Sequence, residues 1–111
     1  MSGGTAPILP VVYSDNALRE LNEIANWNED TYGRDHAKRY IAFLEKNINE
    51  LGKNHPKGKI LETRTDIRYI LIRRKSKGHG HVAVYNVDNQ TVGVLHIFHT
   101  AQDWQAKVTL E

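Results

Sequence analysis

Cysteine is absent from the 111-residue chain, which excludes disulfide bonds, thiolate chemistry and cysteine-based zinc sites. Also missing is any apolar run near the roughly 18–20 residues that a membrane-spanning helix needs. The N-terminal residues lack the apolar segment of a secretory signal peptide. We therefore expect one domain over residues 1–111, with residues 1–7 as a loose tail, that works in the cytoplasm and does not contact a membrane.

Positive charge is concentrated in one part of the chain, although the formal net charge is only +2. Between residues 64 and 77 there is one acidic residue, Asp66, and there are six basic ones: Arg64, Arg68, Arg73, Arg74, Lys75 and Lys77. Such a block is typical of a surface that binds a polyanion or an acidic protein. It is equally typical of a solvated strand edge, where basic side chains discourage aggregation.

Apolar residues in the first half of the chain recur with the period of a helix. After a possible cap at Ser14, the first set runs from Leu18 to Tyr32 and ends at Gly33. A second set runs from Ala37 to Leu51, with Gly52 just past its end. Because the connection between the two is so short, they are predicted to form an antiparallel helical hairpin.

The second half is rich in β-branched and aromatic residues. Residues 67–74, 81–87 and 91–99 are predicted to form a three-strand antiparallel meander, and residues 8–13, which include Pro10, an edge strand. Thr100 is expected to cap a short last helix. The fold class is therefore α+β in the order β-α-α-β-β-β, with a two-helix hairpin packed on a small antiparallel sheet and a short C-terminal helix.

Histidine is the most frequent candidate for chemistry, with six in the chain. His79 and His81 can point to the same side of an extended segment, but no further ligands converge on them in the sequence, so we expect no metal site. His99 ends a strand beside a turn and can act as a general acid or base, or it can simply pack before the last helix.

Basic side chains on the predicted strands allow two interpretations. If the protein cleaves RNA without a metal, Arg68, Arg74, His81, Tyr85 and His99 are the catalytic candidates. If it only binds an acidic partner, the contact candidates are Arg68, Arg73, Arg74, Lys75 and Trp104. Glycine-rich phosphate loops and a nucleophile elbow are absent, so no cofactor is expected.

The order and spacing of five segments are more specific than any one of them. These are ALRELNEIANW, DHAKRYIAFLEKNINEL, HPKG, IRYILIRR and HVAVYNVDNQTVGVLHIFHTAQDW. Together they make the chain, from about Val11 to Trp104, resemble the RelE/ParE superfamily, the toxins of bacterial type II toxin–antitoxin pairs known from plasmid stabilisation. The resemblance is stronger to the ParE side, and it implies the hairpin-on-sheet fold.

The resemblance also implies a function. ParE-like toxins inhibit DNA gyrase without being nucleases, whereas RelE-like toxins cleave mRNA on the ribosome with a basic cluster and a tyrosine or histidine near the C-terminus. This chain has no arginine or terminal tyrosine after His99. The resemblance therefore favours a ParE-like gyrase inhibitor that is not an enzyme. A cognate acidic antitoxin would neutralise it, and it would form homo-oligomers or hetero-oligomers with that antitoxin. A ribosome-dependent mRNA endoribonuclease and a member that has lost toxicity are the alternatives.

Overall fold

The computed structural model describes residues 8–75 and 78–109 and confirms the α+β class, with two helices packed on a sheet. The predicted tail and Lys77 of the basic block lie outside these residues. The strands are β1 (Val11–Tyr13), β2 (Lys59–Leu61), β3 (Arg64–Ile72), β4 (His81–Val87) and β5 (Val92–His99). The helices are α1 (Asp15–Tyr32), α2 (Arg34–Asn49), α3 (Leu51–Asn54) and α4 (Trp104–Thr109), and a 3₁₀ turn spans His55–Lys57.

The helical hairpin has the caps that the sequence predicts at its first helix. The Ser14 side chain accepts a hydrogen bond from the Ala17 N–H at 3.0 Å, which satisfies a donor that the first turn of α1 leaves open. Gly33 ends α1 with a φ of 94°, a backbone conformation that glycine adopts without strain, and α2 starts at the next residue. The reversal of the chain between the two helices therefore depends on Gly33.

Gly52 does not end the second helix, contrary to the sequence prediction. Helix α2 ends at Asn49, and Gly52 lies inside the further helical turn α3. The Leu9 N–H donates to the Gly52 carbonyl at 2.9 Å, and a side chain at position 52 would collide with the Leu9 carbonyl. The glycine is therefore needed for the close approach of the N-terminal segment.

The sheet is mixed and has the strand order β1-β5-β4-β3-β2. Strands β3, β4 and β5 form the predicted antiparallel meander, and the opening strand β1 runs parallel to β5, with Val11 opposite Val92. The sequence prediction missed β2, because a strand of three residues is too short to show an alternating pattern. The predicted strand at residues 67–74 also begins three residues and ends two residues after the observed β3.

Both faces of the sheet are covered. On one face, Ala83, Tyr85 and Ile97 pack against the hairpin residues Leu44 and Ile48. On the other face, helix α4 covers a second core. Its buried residues are Leu61, Ile67, Val82, Val84, Phe98, Trp104 and Val108. Residues on the central strands are therefore held firmly from both sides.

Beyond β1, the outer edge of β5 is closed by side chains of α1 and of its cap residue Ser14. The Glu20 carboxylate accepts hydrogen bonds from the Ile97 N–H at 3.0 Å and lies 3.1 Å from His96 Nδ1. The Ser14 hydroxyl donates to the Leu95 carbonyl at 2.8 Å. These contacts occupy strand-edge groups that would otherwise be open to pairing.

In the part of the chain that the structure describes, none of the helices combines the length and the apolar character needed to cross a membrane.

Candidate functional site

A groove of about 1090 Å³ lies between the helical hairpin and one end of strands β3, β4 and β5. We call it the aromatic groove. Helices α1 and α2 contribute ring-bearing side chains, the strand ends contribute cations and histidines, and α4 contributes a lysine. The main lining residues are Trp27, Tyr32, His36, Tyr40, Arg74, Lys75, His79, His81, His99 and Lys107.

The rings of the aromatic groove form one continuous series. Trp27 lies edge-on to Tyr32 with 5.8 Å between the ring centroids, and Tyr32 is 4.6 Å from His36. The His36 and Tyr40 rings are stacked at 6.5 Å, and Tyr40 is 5.4 Å from His81. The series therefore leads from the exposed end of α1 to the buried end of β4.

Three histidines meet at the inner end of this series. The pairing of β4 with β5 places His81 directly opposite His99, and their ring centroids are 5.3 Å apart. His79 is also 5.3 Å from His99. The Tyr40 hydroxyl lies 2.5 Å from His81 Nδ1, which fixes the orientation of the His81 ring.

Burial keeps two of these histidines uncharged at neutral pH. It lowers the pKa of His81 to about 4, with a further contribution from His99. Burial also lowers the pKa of His99, with a contribution from His79, and raises the pKa of Tyr40. At neutral pH the two histidines are therefore uncharged and the Tyr40 hydroxyl keeps its proton, so neither histidine can act as a general acid near pH 7.

The tautomer of His99 follows from its contacts. Its Nδ1 accepts the Ala101 backbone N–H at 3.0 Å, so the ring proton sits on Nε2. That arrangement leaves an N–H donor, and not a lone pair, at Nε2.

Within residues 8–75 and 78–109, no group of three or more histidine, aspartate or glutamate side chains is arranged to hold a metal ion.

Cations give the aromatic groove an excess of positive charge. The Arg74 guanidinium lies 5.4 Å from the ring centroids of both Tyr40 and Phe43, a cation–π geometry. Lys107 lies 5.8 Å over the Phe98 ring. The aromatic rings thus position charged groups at the inner end of the groove.

The structure divides the predicted catalytic set into two places. Arg74, His81 and His99 line the aromatic groove. Arg68 and Tyr85 instead hold the turn before β2. Arg68 donates to the Gly58 carbonyl at 2.9 Å, and the buried Tyr85 hydroxyl donates to the His55 carbonyl at 2.7 Å. The five residues therefore do not meet at one reacting centre.

Sequence reasoning missed the ring-bearing residues on the helices. The helical pattern predicts Tyr32 and Tyr40 only as packing residues, and it gives no role to Trp27 or His36. A signal was present, because Tyr32, His36 and Tyr40 are spaced four residues apart and such residues share a helix face.

The predicted partner contacts are divided among several places: Arg68 holds the turn before β2, Arg74 lies in the aromatic groove, and Arg73 and Lys75 follow an open stretch of strand edge. Strand β2 pairs with β3 only as far as Tyr69, so among the described residues no strand covers the outer side of residues 70–72. We call this stretch the β3 edge. Leu71 is 47% exposed there, and Arg73 and Lys75 follow it on the surface. Trp104, by contrast, is only 9% exposed and packs on Tyr69 with 4.8 Å between the rings.

The fold and these two surfaces define a small α+β domain with a basic, ring-lined groove and an open strand edge. Residues 11–104 match the sequence model of a family described as the ParE toxin of the type II toxin–antitoxin system parDE. This match covers most of the chain, and the chain belongs to that family, which confirms the predicted relationship. The protein is thus a toxin of the type II toxin–antitoxin class.

A solved structure supports the same fold. A chain of the chromosomal ParDE TA system from P. aeruginosa superimposes with a TM-score of 0.70 at 14% sequence identity. The similarity covers 82% of this chain and 95% of the other. The comparison with curated protein sequences gives no significant match.

Proposed function

We propose that this protein inhibits bacterial growth by binding DNA gyrase in the cytoplasm, and that a cognate antitoxin neutralises it. The observation that carries the proposal is membership of the ParE toxin family over residues 11–104. The similarity to a chain of a ParDE toxin–antitoxin system supports the existence of an antitoxin partner.

The site supports inhibition by binding over catalysis. Arg68 and Tyr85 are engaged by the turn at residues 55–58, so two of the five catalytic candidates do not line the groove that holds His81 and His99. Metal-independent RNA cleavage needs an acid as well as a base. The lowered pKa values leave His81 and His99 unprotonated near pH 7, so neither supplies the acid, and their Nδ1 atoms are already engaged by Tyr40 and by the Ala101 N–H.

The β3 edge is the surface that best fits the antitoxin. It offers unpaired strand-edge groups at residues 70–72, the exposed Leu71 side chain, and the neighbouring cations Lys57 and Lys59 in a groove of about 500 Å³. An extended acidic segment can add a strand to such an edge, with the main chain providing affinity and the charges providing specificity. We expect the antitoxin to bind in this way.

Gyrase assays test the target directly. Purified toxin is added to gyrase in supercoiling and cleavage-complex assays, and loss of supercoiling with accumulated cleavage complexes is expected. The matched control is toxin premixed with the product of the adjacent gene, which should restore supercoiling. Growth arrest in cells without any effect on gyrase, together with discrete cuts in translated mRNA, would support the ribonuclease alternative instead.

The antitoxin surface is tested with two substitutions of similar exposure. Leu71→Asp adds negative charge to the β3 edge and should weaken binding of the adjacent gene product by tenfold or more, as measured by calorimetry. Leu18→Asp makes the same change on an exposed position of α1 and should leave binding unchanged. Equal effects of both substitutions would place the antitoxin elsewhere.

A further inference from the structure

The aromatic groove is separate from the β3 edge, and its chemistry points to a different ligand. We infer that it binds a single-stranded nucleic acid, with bases stacked on its rings and phosphates held by its cations. This inference does not rest on the proposed gyrase target or on the antitoxin. It adds a ligand that the toxin itself contacts.

The outer end of the groove presents exposed rings. Trp27 is 59% exposed and Tyr32 is 58% exposed, although both are large apolar side chains that are usually better buried. They begin the ring series that continues through His36 and Tyr40. Proteins that hold single strands without reading their sequence use such platforms, because every base has a π-face. Bases in a duplex are already stacked on one another and cannot use them.

The inner end of the groove presents positive charge. Two carboxylates line the groove, and both are engaged: Glu23 lies 3.8 Å from Arg19, and Glu20 accepts the Ile97 N–H. The cations Arg74, Lys75 and Lys107 then set the local charge, next to the His99 N–H donor. Exposed rings and cations along one groove match a polymer that carries both bases and phosphates.

The size of the groove favours a strand over a single nucleotide. At about 1090 Å³ it lies above the range of roughly 300–1000 Å³ that is usual for small-molecule pockets. An acidic peptide would satisfy the cations but would gain little from the exposed faces of Trp27 and Tyr32. We therefore choose the nucleic acid as occupant and treat the peptide as an outcome of the test.

Tryptophan fluorescence provides a direct readout. The chain has two tryptophans, of which Trp27 is exposed and Trp104 is buried, so a stacked base should quench Trp27. The protein is titrated with oligo-dT, oligo-U, a duplex of the same length and an oligo-glutamate peptide, with strands of about 12 nucleotides. We expect quenching by one or both single strands, but not by the duplex or the peptide. The single strand that quenches the fluorescence more strongly shows whether the ligand is DNA or RNA.

Anisotropy of a labelled strand then tests the individual side chains. Trp27→Ala and Tyr32→Ala should each weaken binding about tenfold, whereas Trp27→Phe keeps a ring and most of the affinity. Arg74→Gln should weaken binding and reduce the slope of log affinity against log salt by about one. Leu18→Ala, at an exposed position of α1 outside the groove, is the matched control, and circular dichroism confirms that each variant is folded.

Four outcomes would overturn the inference. They are the absence of quenching at excess strand, equal binding of the duplex, equal binding of the peptide, and an equal loss of affinity in Leu18→Ala and the ring variants.

Discussion

Tyr85 is a fully buried side chain whose hydroxyl donates to the His55 carbonyl, while the guanidinium of Arg68, its cross-strand neighbour, donates to the Gly58 carbonyl. Together they fasten the turn at residues 55–58 to the central strands. Position 58 lies so close to the Tyr85 ring that any side chain there would collide with it. The tyrosine, arginine and glycine therefore form one structural unit.

We expect Tyr85→Phe to lower the free energy of unfolding by about 1 kcal/mol, because the His55 carbonyl loses its donor in a partly buried place. Urea denaturation measures this change. Tyr32→Phe removes a hydroxyl from an exposed ring and should change the free energy of unfolding by much less. Equal changes in the two variants would mean that the Tyr85 hydrogen bond does not stabilise the fold.

His81 makes the stability of the protein dependent on pH. The folded state lowers its pKa from 6.5 to about 4, so between these values the unfolded chain binds a proton that the folded chain does not. We expect the free energy of unfolding to fall as the pH decreases through this window. Urea denaturation of wild type and His81→Gln across the window measures the effect.

The His81→Gln variant should show a shallower pH dependence, because glutamine does not titrate but can still bond to the Tyr40 hydroxyl. Some slope should remain, since burial also lowers the pKa of His99. A variant with the wild-type slope, or a protein that gains stability on acidification through this range, would contradict the assignment to His81.

At the scale of secondary-structure elements, the connection between the two helices of the hairpin depends on one residue. Gly33 has φ 94° and ψ 167°, a region in which a side chain costs about 1–3 kcal/mol. Gly33→Ala should therefore lower the free energy of unfolding by that amount, as measured in urea. Thr31→Ala, at an exposed position in the last turn of α1, should have almost no effect. If Gly33→Ala also left the free energy of unfolding unchanged, the connection between α1 and α2 would not require glycine.

The predictable elements are those whose residues repeat over several turns or along several strand pairs. The helical hairpin followed from the period of its apolar residues and from Ser14 and Gly33, and the β3–β4–β5 meander followed from its β-branched residues. Even so, Leu18 and Tyr32 of the predicted apolar stripe are more than half exposed. The hairpin buries a narrower face than the pattern indicates.

The missed features depend on contacts between residues that are distant in the sequence. The parallel pairing of β1 with β5, the approach of Leu9 to Gly52, and the bond from Glu20 to the Ile97 N–H leave no local pattern. For the same reason, only part of the site was predictable from the sequence. His81 and His99 followed from the strand ends, but Tyr40 joins them only because the hairpin lies across the sheet.

At the scale of the whole molecule, the N-terminal strand completes the sheet. Val11 and Tyr13 pack against the main core, and β1 occupies one edge of β5. Deletion of residues 1–13 should lower the free energy of unfolding by at least about 2 kcal/mol through lost apolar burial, and should promote aggregation at the uncovered edge. Urea denaturation and light scattering measure both effects.

Deletion of residues 1–7 alone is the control for this truncation, because the sequence predicts a loose tail there. It should leave the free energy of unfolding within about 0.5 kcal/mol of the full chain. If both deletions destabilised the protein equally, the first seven residues would belong to the fold.

The parallel pairing of β1 with β5 also sets the order of events during synthesis. Strand β1 leaves the ribosome before its partner at residues 92–94, and helices α1 to α3 and strands β2 to β4 lie between the two in the chain. Closing such a long loop is slow, and the chain must wait for it with an incomplete sheet. Folding of the complete sheet therefore cannot finish before residues 92–94 have been synthesised.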